Sequence, residues 1–447
     1  MKLKGTHALV VGMKKSGVAS AALLAREGAI VSATDLKPLD QLPEVRELNI
    51  PFAQQAPEVF ESAELIVLSP DVPFDLAPLQ EARRRGVPVI GEVELAAPYL
   101  KGRTIGITGS NGKTTTTSLI GHILREAGVP VQVGGNIGLA VTAMIDTSSD
   151  AGWNVLELSS FQLETISEFH AHIGLALNVT QNHLDRHHTF ESYAAAKGRL
   201  FETQRPGDYA ILNAEDAICV AYAARTPAAV QWFSSSRKVE PGATLCADKL
   251  ILDGKLLMAA TDIPIRGRHN IENVLAAAIA CARVGVSHQA IAAAVHSFRA
   301  VEHRLEFVRS LNGVEFYNDS KATSVDATLK ALDAFPGGLW VILGGKDKGL
   351  EYTALREPLA AKAHAALVIG AAAPKIADQL KGAVPIVSAG TIDGAIAYAW
   401  EHAAPGDTVL LAPACASFDQ FQSYEHRGQC FKEIVNQLPA KAPQMKD

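Results

Sequence analysis

The sequence predicts an α/β protein with three domains in series, each built around a largely parallel sheet. Three observations carry this. Short runs of consecutive apolar residues alternate with helical patterns along nearly the whole chain, the rhythm of β-α-β units. Most runs are apolar at every position, as strands covered by helices on both faces must be. A connector at 92–103, marked by Pro98 and Gly102, and a renewed strand–helix rhythm from about 300 divide the chain into blocks 1–92, 93–299 and 300–447.

In the first block, strands are expected at 7–11, 29–34, 65–68 and 87–90, with helices at 18–27 and 76–85. The second block should hold strands at 105–108, 154–157, 173–178 and 209–213 and helices at 115–127 and 193–203. Short β runs at 230–233, 243–247, 250–252 and 255–258, with the hairpin signal Asp253-Gly254, read as an antiparallel flap on the parallel sheet. The Ala-rich stretch 270–284 follows as a buried helix. The third block should carry strands at 314–318, 339–343, 366–369, 385–387 and 408–412, with helices at 324–334, 355–363, 373–380, 391–403 and 418–438.

The most informative stretch is Ile105 to Thr116, Ile-Gly-Ile-Thr-Gly-Ser-Asn-Gly-Lys-Thr-Thr-Thr. A strand runs into a glycine turn, then a lysine, then hydroxyls opening a helix. The pattern Thr108-Gly109-Ser110-Asn111-Gly112-Lys113-Thr114 is a shortened P-loop, with Ile107 where the usual spacing has its first Gly. Its glycines free backbone N–H groups for phosphate oxygens, and Lys113 brings a charge to the β/γ-phosphates. Thr114 can ligate Mg²⁺, and the helix starting near Thr115 turns its positive end to the same anion. ATP or a close relative is the expected ligand.

Other polar groups fall at expected strand ends, where parallel sheets place their ligands. Glu157 ends an apolar strand, and beside a P-loop that carboxylate reads as a Mg²⁺ ligand. After the next strand, His183 or Asp185 could serve a second metal or orient phosphate, whereas His187 and His188 read as a solvated loop. The turn Gly12-Met13-Lys14-Lys15-Ser16-Gly17, with Asp35 ending the next strand, is similar to a dinucleotide fingerprint. Lys14 replaces its middle Gly, which weakens the case for NAD. Another nucleotide or an unliganded βα turn remain open. In the third block, the runs 318–323, 344–348 and 412–421 bring Lys321, Thr323, Lys348 and Ser417 to strand ends, a donor-rich setting suited to a dicarboxylate.

Composition narrows the classes. The 447 residues are 48% hydrophobic and 20% charged with net charge −6, so nothing marks a nucleic-acid binder. The five cysteines form no C-x-x-C pair, which argues against a disulfide framework or zinc ribbon. The first apolar run is too short for a signal sequence, and no stretch approaches the ~18 apolar residues of a membrane span. A cytoplasmic protein without membrane insertion is expected.

Taken together, Thr108–Thr114, 156–163 (Leu-Glu-Leu-Ser-Ser-Phe-Gln-Leu), Asn178-Val179-Thr180, Gly267-Arg268-His269-Asn270-x-x-Asn273, Asn318-Asp319-Ser320-Lys321-Ala322-Thr323 and 413–421 resemble the Mur ligases over essentially the whole length. Among them, the resemblance is to the D-glutamate-adding members. It implies a Rossmann-like N-terminal domain for a uridine diphosphate substrate, a central ATPase domain, and a Rossmann-like C-terminal domain that brings the amino acid. It further implies ATP at Gly109, Ser110, Asn111, Gly112, Lys113, Thr114 and Thr115, with Asn270 and Asn273 by the adenine and Arg304 and Asp319 reaching ATP. The implied metals, two Mg²⁺, fall to Thr114, Glu157, His183 and Lys197, the last aligned with a carbamoylated lysine. Lys113, Glu157, His183 and Lys197 are the implied catalytic set. UDP-N-acetylmuramoyl-L-alanine would meet Ser16, Asp35, Asn136 and His183. D-Glutamate would meet Lys321, Thr323, Lys348, Ser417, Phe418 and Tyr424. Lys14-Lys15 in the diphosphate turn and Tyr424, where Phe is typical, depart from the family pattern.

The expected activity is therefore ATP-dependent amide formation through an acyl phosphate, by a monomer. A nicotinamide oxidoreductase would not need the P-loop. A nucleotide-gated switch would leave the polar runs of the third block without a task.

Overall fold

In the computed structural model, which describes residues 2–299 and 301–440, the longer apolar runs become strands of three sheets. Residues up to 262, together with 272–296, make one unit, and 263–271 with the residues from 297 make a second.

The first sheet has five parallel strands in the order Phe52–Gln54, Ile30–Asp35, His7–Val11, Leu65–Leu68, Val89–Gly91. Ala8–Val11 of the strand His7–Val11, and all of Leu65–Leu68, are apolar and buried because they lie inside the sheet with both faces covered. The edge strand 52–54 has no such pattern and is absent from the sequence reading.

The central sheet has nine strands, ordered Lys255–Ala259, Lys249–Leu252, Gly242–Cys246, Ala229–Ser234, Tyr209–Asn213, Ile173–Ala176, Arg103–Thr108, Trp153–Glu157, Val131–Gly135. The P-loop strand lies between Ile173–Ala176 and Trp153–Glu157, parallel to both. This order sets the P-loop beside Glu157 and the 177–183 loop at one sheet edge. The expected antiparallel flap is formed by Gly242–Cys246, Lys249–Leu252 and Lys255–Ala259; the run at 230–233, read as part of it, belongs to Ala229–Ser234, which pairs in parallel with Gly242–Cys246. Val131–Gly135 was also missed, since its glycines hide the strand pattern. The helix Arg268–Val284 has residues 274–281 fully buried, which explains its Ala-rich, non-amphipathic middle.

One hydrophobic core runs through the first two sheets, joining Val10, Met13 and Val67 with Leu156, Leu158 and Phe201. It packs the two α/β domains on either side of residue 92 into one compact unit.

The sheet of the second unit is ordered Glu306–Leu311, Val314–Asn318, Thr408–Leu411, Leu339–Gly344, Ala363–Ile369, Ile386–Gly390. Its first strand is an antiparallel edge absent from the sequence reading, joined by a turn at Asn312-Gly313. Three adjacent strands end at Asn318, Leu411 and Gly344, so the runs 318–323, 412–421 and 344–348 leave the sheet side by side. The last helix spans Tyr424–Gln437 instead of 418–438. Ser423 caps it by accepting from His426 N, while Gln420 N and Phe421 N turn back onto Ser417 O.

Candidate active site

The P-loop is assembled by contacts far apart in sequence. Gly112, at φ 82°, ends the loop, and a Cβ there would stand 2.3 Å from Asn273 Oδ1, so the position must be glycine. Asn273 in turn accepts from Thr116 Oγ1 at 3.2 Å, fixing it against the loop. Ser110 N and Asn111 N donate to Asn178, to its carbonyl at 2.8 Å and its side-chain oxygen at 2.9 Å. These two bonds tie the loop to the end of the neighbouring strand's run at Asn178. The opening turn of the helix Lys113–Glu126 is where N–H groups lack intrahelical acceptors and anions gather.

Lys113 Nζ donates to Gly109 O at 2.8 Å and Ser110 O at 3.0 Å, which hold the ammonium over its own loop. Lys197, on the helix Phe190–Gly198, reaches the same Gly109 carbonyl at 2.9 Å. Its side chain is 1% exposed and lies 4.6 Å over the Tyr193 ring. Burial, and then the charge of Lys113, hold its amine well below the ordinary lysine range. Tyr193 itself is fixed by a 3.0 Å hydrogen bond with Ser110 Oγ and packs 6.2 Å from His183. Nothing in the local sequence marked that role.

Glu157 is 2% exposed. Its Oε1 accepts from Asn136 Nδ2 at 2.8 Å, and Asn136 N donates to the Glu157 carbonyl at the same distance. Its Oε2 is buried and has no hydrogen-bond partner among the described residues. Such an orphan is costly unless a cation meets it. Among the described residues, no three or more His, Cys, Asp or Glu gather as a metal cage. A lone buried carboxylate oxygen beside a hydroxyl-opened helix fits Mg²⁺, which takes few protein ligands.

His183 is exposed, at φ 54°, and stands edge-on to Phe161 at 5.0 Å. The Asp185 side chain lies outside the described set. The solvated-loop expectation fails for His187, which is buried, stacked on Phe161 at 5.4 Å and hydrogen-bonded to Ser160 Oγ at 2.9 Å. His188 is exposed and pairs with Asp75.

At the N-terminal turn, the Asp35 carboxylate accepts from Met13 N at 2.6 Å and Lys37 N at 2.9 Å, so it shapes the turn that leads into the first helix, Lys15–Arg26, whose second residue is Ser16. Lys14 pairs with Asp71 at 2.6 Å.

In the second unit, burial pushes the Asp319 carboxyl up to about 7 against the pull of Arg304, and Leu305 N donates to it at 3.3 Å. Asn270 donates to Arg266 O at 2.6 Å. Lys348 Nζ donates to Thr323 O at 3.3 Å, Ser417 is buried, and Phe418 is 66% exposed. Lys321 lies 5.1 Å over the Tyr424 ring. The residue that joins these runs escaped the sequence reading. Arg427 is fully buried and donates to Ser320 Oγ and O, Gly344 O, Cys415 O and Ala416 O, touching all three loops. Burial lowers its guanidinium to about 10, still charged at neutral pH.

Comparison with known proteins agrees with this arrangement. Family models described as "Mur ligase MurD-like, N-terminal domain", "Mur ligase middle domain" and "Mur ligase, glutamate ligase domain" match residues 6–91, 107–281 and 303–415. The chain is 80% identical to the UDP-N-acetylmuramoylalanine--D-glutamate ligase of Solibacter usitatus, covering 99% of this chain and 100% of that protein. It is 51% identical to the ligase of the same name from Acidobacterium capsulatum, over 97% of each. Among solved structures, UDP-N-acetylmuramate-alanine ligase from Thermotoga maritima shares the fold at TM-score 0.60 and 18% identity, covering 96% of this chain and 99% of that one.

Proposed function

This chain belongs to the Mur ligase family, and on that premise we infer that it joins D-glutamate to UDP-N-acetylmuramoyl-L-alanine at the expense of ATP. The reaction builds peptidoglycan precursor in the cytoplasm. The γ-phosphoryl group passes to the alanyl carboxylate, giving an acyl phosphate and ADP. The neutral amine of D-glutamate then attacks that carbonyl, and inorganic phosphate leaves. Activation is needed because a carboxylate is a poor electrophile with no leaving group, and the protein's part is positioning and charge neutralisation.

The observation that carries the reading is the pair of lysines on the Gly109 carbonyl, one of them with its amine held well below the ordinary lysine range, beside the orphaned Glu157 oxygen. Lys113 serves the γ-phosphate, and the loop and first helical turn, Gly109 to Thr115, hold the phosphates. Asn270, Asn273, Arg304 and Asp319 serve the rest of ATP. Thr114, Glu157, His183 and Lys197 would hold Mg²⁺, which supplies neutralisation of phosphate charge. A neutral Lys197 amine adds CO₂, forming an N–C bond and releasing one proton, to become an anionic carbamate able to face a cation.

Block 1–92 takes the uridine diphosphate at Ser16 and Asp35, and block 93–299 takes ATP. Asn136 and His183 meet the lactyl-alanyl end. Block 300–447 takes D-glutamate, with Lys348 and Thr323 for one carboxylate, Ser417 and the Phe418 backbone for the other, and Lys321 and Tyr424 alongside. All of these groups lie on one chain, which suits a monomeric active form.

Phosphate release measured with ATP, UDP-N-acetylmuramoyl-L-alanine and each amino acid in turn tests this. D-Glutamate should be the acceptor. Preference for L-alanine or a diamino acid would overturn the amino-acid assignment.

A further inference from the structure

Arg186 is used by nothing in the reaction above, yet it is among the most engaged side chains near the site. It extends from the single helical turn Leu184–His187, whose start is His183, and Arg186 N donates to His183 O at 3.1 Å. Its side chain is 12% exposed, and the guanidinium donates to three successive carbonyls of the first sheet's loop. These are Pro70 at 3.5 Å and Asp71 at 3.3 Å from Nη1, and Val72 at 2.6 Å from Nη2. Its face lies 4.8 Å over Phe161, the ring that stands against His183. Glu164 pairs with it only at 3.5 Å, so the fork on the carbonyls dominates the contact.

The loop it grips borders the N-terminal turn. Ser69 Oγ donates to Gly12 O at 2.5 Å, and a Cβ on Gly12 would stand 2.7 Å from Val72 Cγ2. A short chain of contacts therefore runs from the Gly12 turn through 69–72 and Arg186 to Phe161 and His183.

We propose that Arg186 is a positioning residue that fixes the span between the uridine diphosphate turn and His183, and so sets where the far end of the nucleotide-linked substrate falls. This rests on the assignment of the two ends of that substrate given above. One molecule must reach from one sheet to the next, and a misplacement of about 1 Å at the reacting carboxylate costs on the order of 100-fold. Only a planar fork spans successive carbonyls, so lysine is no substitute. The exposed His188–Asp75 pair joins the same two segments but holds no such geometry.

The test compares two probes, UDP alone and UDP-N-acetylmuramoyl-L-alanine, on the full chain. In Arg186→Met, UDP should bind within about two-fold of wild type, while the full substrate binds at least about 10-fold more weakly and kcat falls. KM for ATP should be unchanged, and His188→Ala should alter none of these. Weakening of both probes by one factor, or of neither, would overturn the proposal. If Arg186→Met does not fold, Arg186→Lys carries the same test with the same expected split. Asp35→Ala separates the premise: unchanged UDP binding there would refute the nucleotide assignment itself, not the role of Arg186.

Discussion

Lys113 Nζ and Lys197 Nζ donate to one acceptor, the Gly109 carbonyl, at 2.8 and 2.9 Å. Two ammonium groups on one carbonyl repel each other, and the more deeply buried of them is the one whose amine is pushed toward the neutral form. Lys197 is that one. That depression separates the two lysines chemically: one suits a fixed charge for phosphate, the other an amine that can react with CO₂.

From this, Lys197→Ala and Lys113→Ala should both lose at least about 100-fold in turnover, for different reasons. Labelled bicarbonate should give wild type and Lys113→Ala a carbamate carbon resonance that Lys197→Ala lacks. Removing dissolved CO₂ should reversibly slow wild type. An unlabelled, fully active protein would leave Lys197 as a packing residue.

Glu157→Gln keeps the shape of the strand end, and its amide oxygen still accepts from Asn136. It removes the negative charge at the orphaned oxygen. Stability should hold or rise by about 1–2 kcal/mol, because a buried unpaired carboxylate is replaced by a neutral group. Turnover should fall by about 100-fold or more, with the Mg²⁺ requirement moved to higher concentration. Denaturant melts and a Mg²⁺ titration of rate check the two halves separately.

Asp319 gives a pH prediction with a definite sign. Its carboxyl is raised from 3.8 to about 7 in the folded chain, so the folded state holds the proton more tightly than the unfolded one. The stability it contributes is full below about pH 4 and is lost as pH rises to 7 and beyond. Asp319→Asn should therefore be more stable than wild type at pH 8 by about 2–4 kcal/mol, with the gap closing toward pH 4. Urea unfolding at several pH values reads this directly. A less stable variant at pH 8 would mean that Arg304 pairing outweighs burial. The same variant should lose activity if Asp319 serves ATP.

The P-loop, Glu157 and the three polar runs of the second unit were legible because each is a contiguous motif at the end of an apolar strand. What the sequence hid is long-range. Lys197 sits in the last turn of an Ala-rich helix; the resemblance named it, but only the fold carries it to Gly109. His187 reads as half of a polar pair, but Phe161 and Ser160 bury it. The edge strand Glu306–Leu311 mixes charged and apolar residues, so its apolar run is broken. The shared core of the first two sheets depends on residues more than a hundred positions apart, such as Val10 and Leu156.

Arg427 is the clearest case of a hidden residue, and it carries the last prediction. It lies in the last helix, outside every recognised motif, with its guanidinium fully buried among carbonyls of three loops. Those loops carry Lys321, Thr323, Lys348 and Ser417. Arg427→Met fills similar volume but leaves several buried carbonyls without donors, at about 1–3 kcal/mol each where water cannot replace it. The unit should lose about 3 kcal/mol or more of stability, and the loops should lose their mutual register. The kinetic signature is selective: KM for D-glutamate should rise at least about 10-fold while KM for ATP stays near wild type. Lys348→Ala should show the same selectivity without the loss of stability, because its ammonium is exposed and meets Thr323 O only at 3.3 Å. Tyr424→Phe, which keeps the ring under Lys321, should be mild in both respects. Equal rises in both KM values for Arg427→Met would show general loosening of the unit and remove the link to the amino-acid pocket.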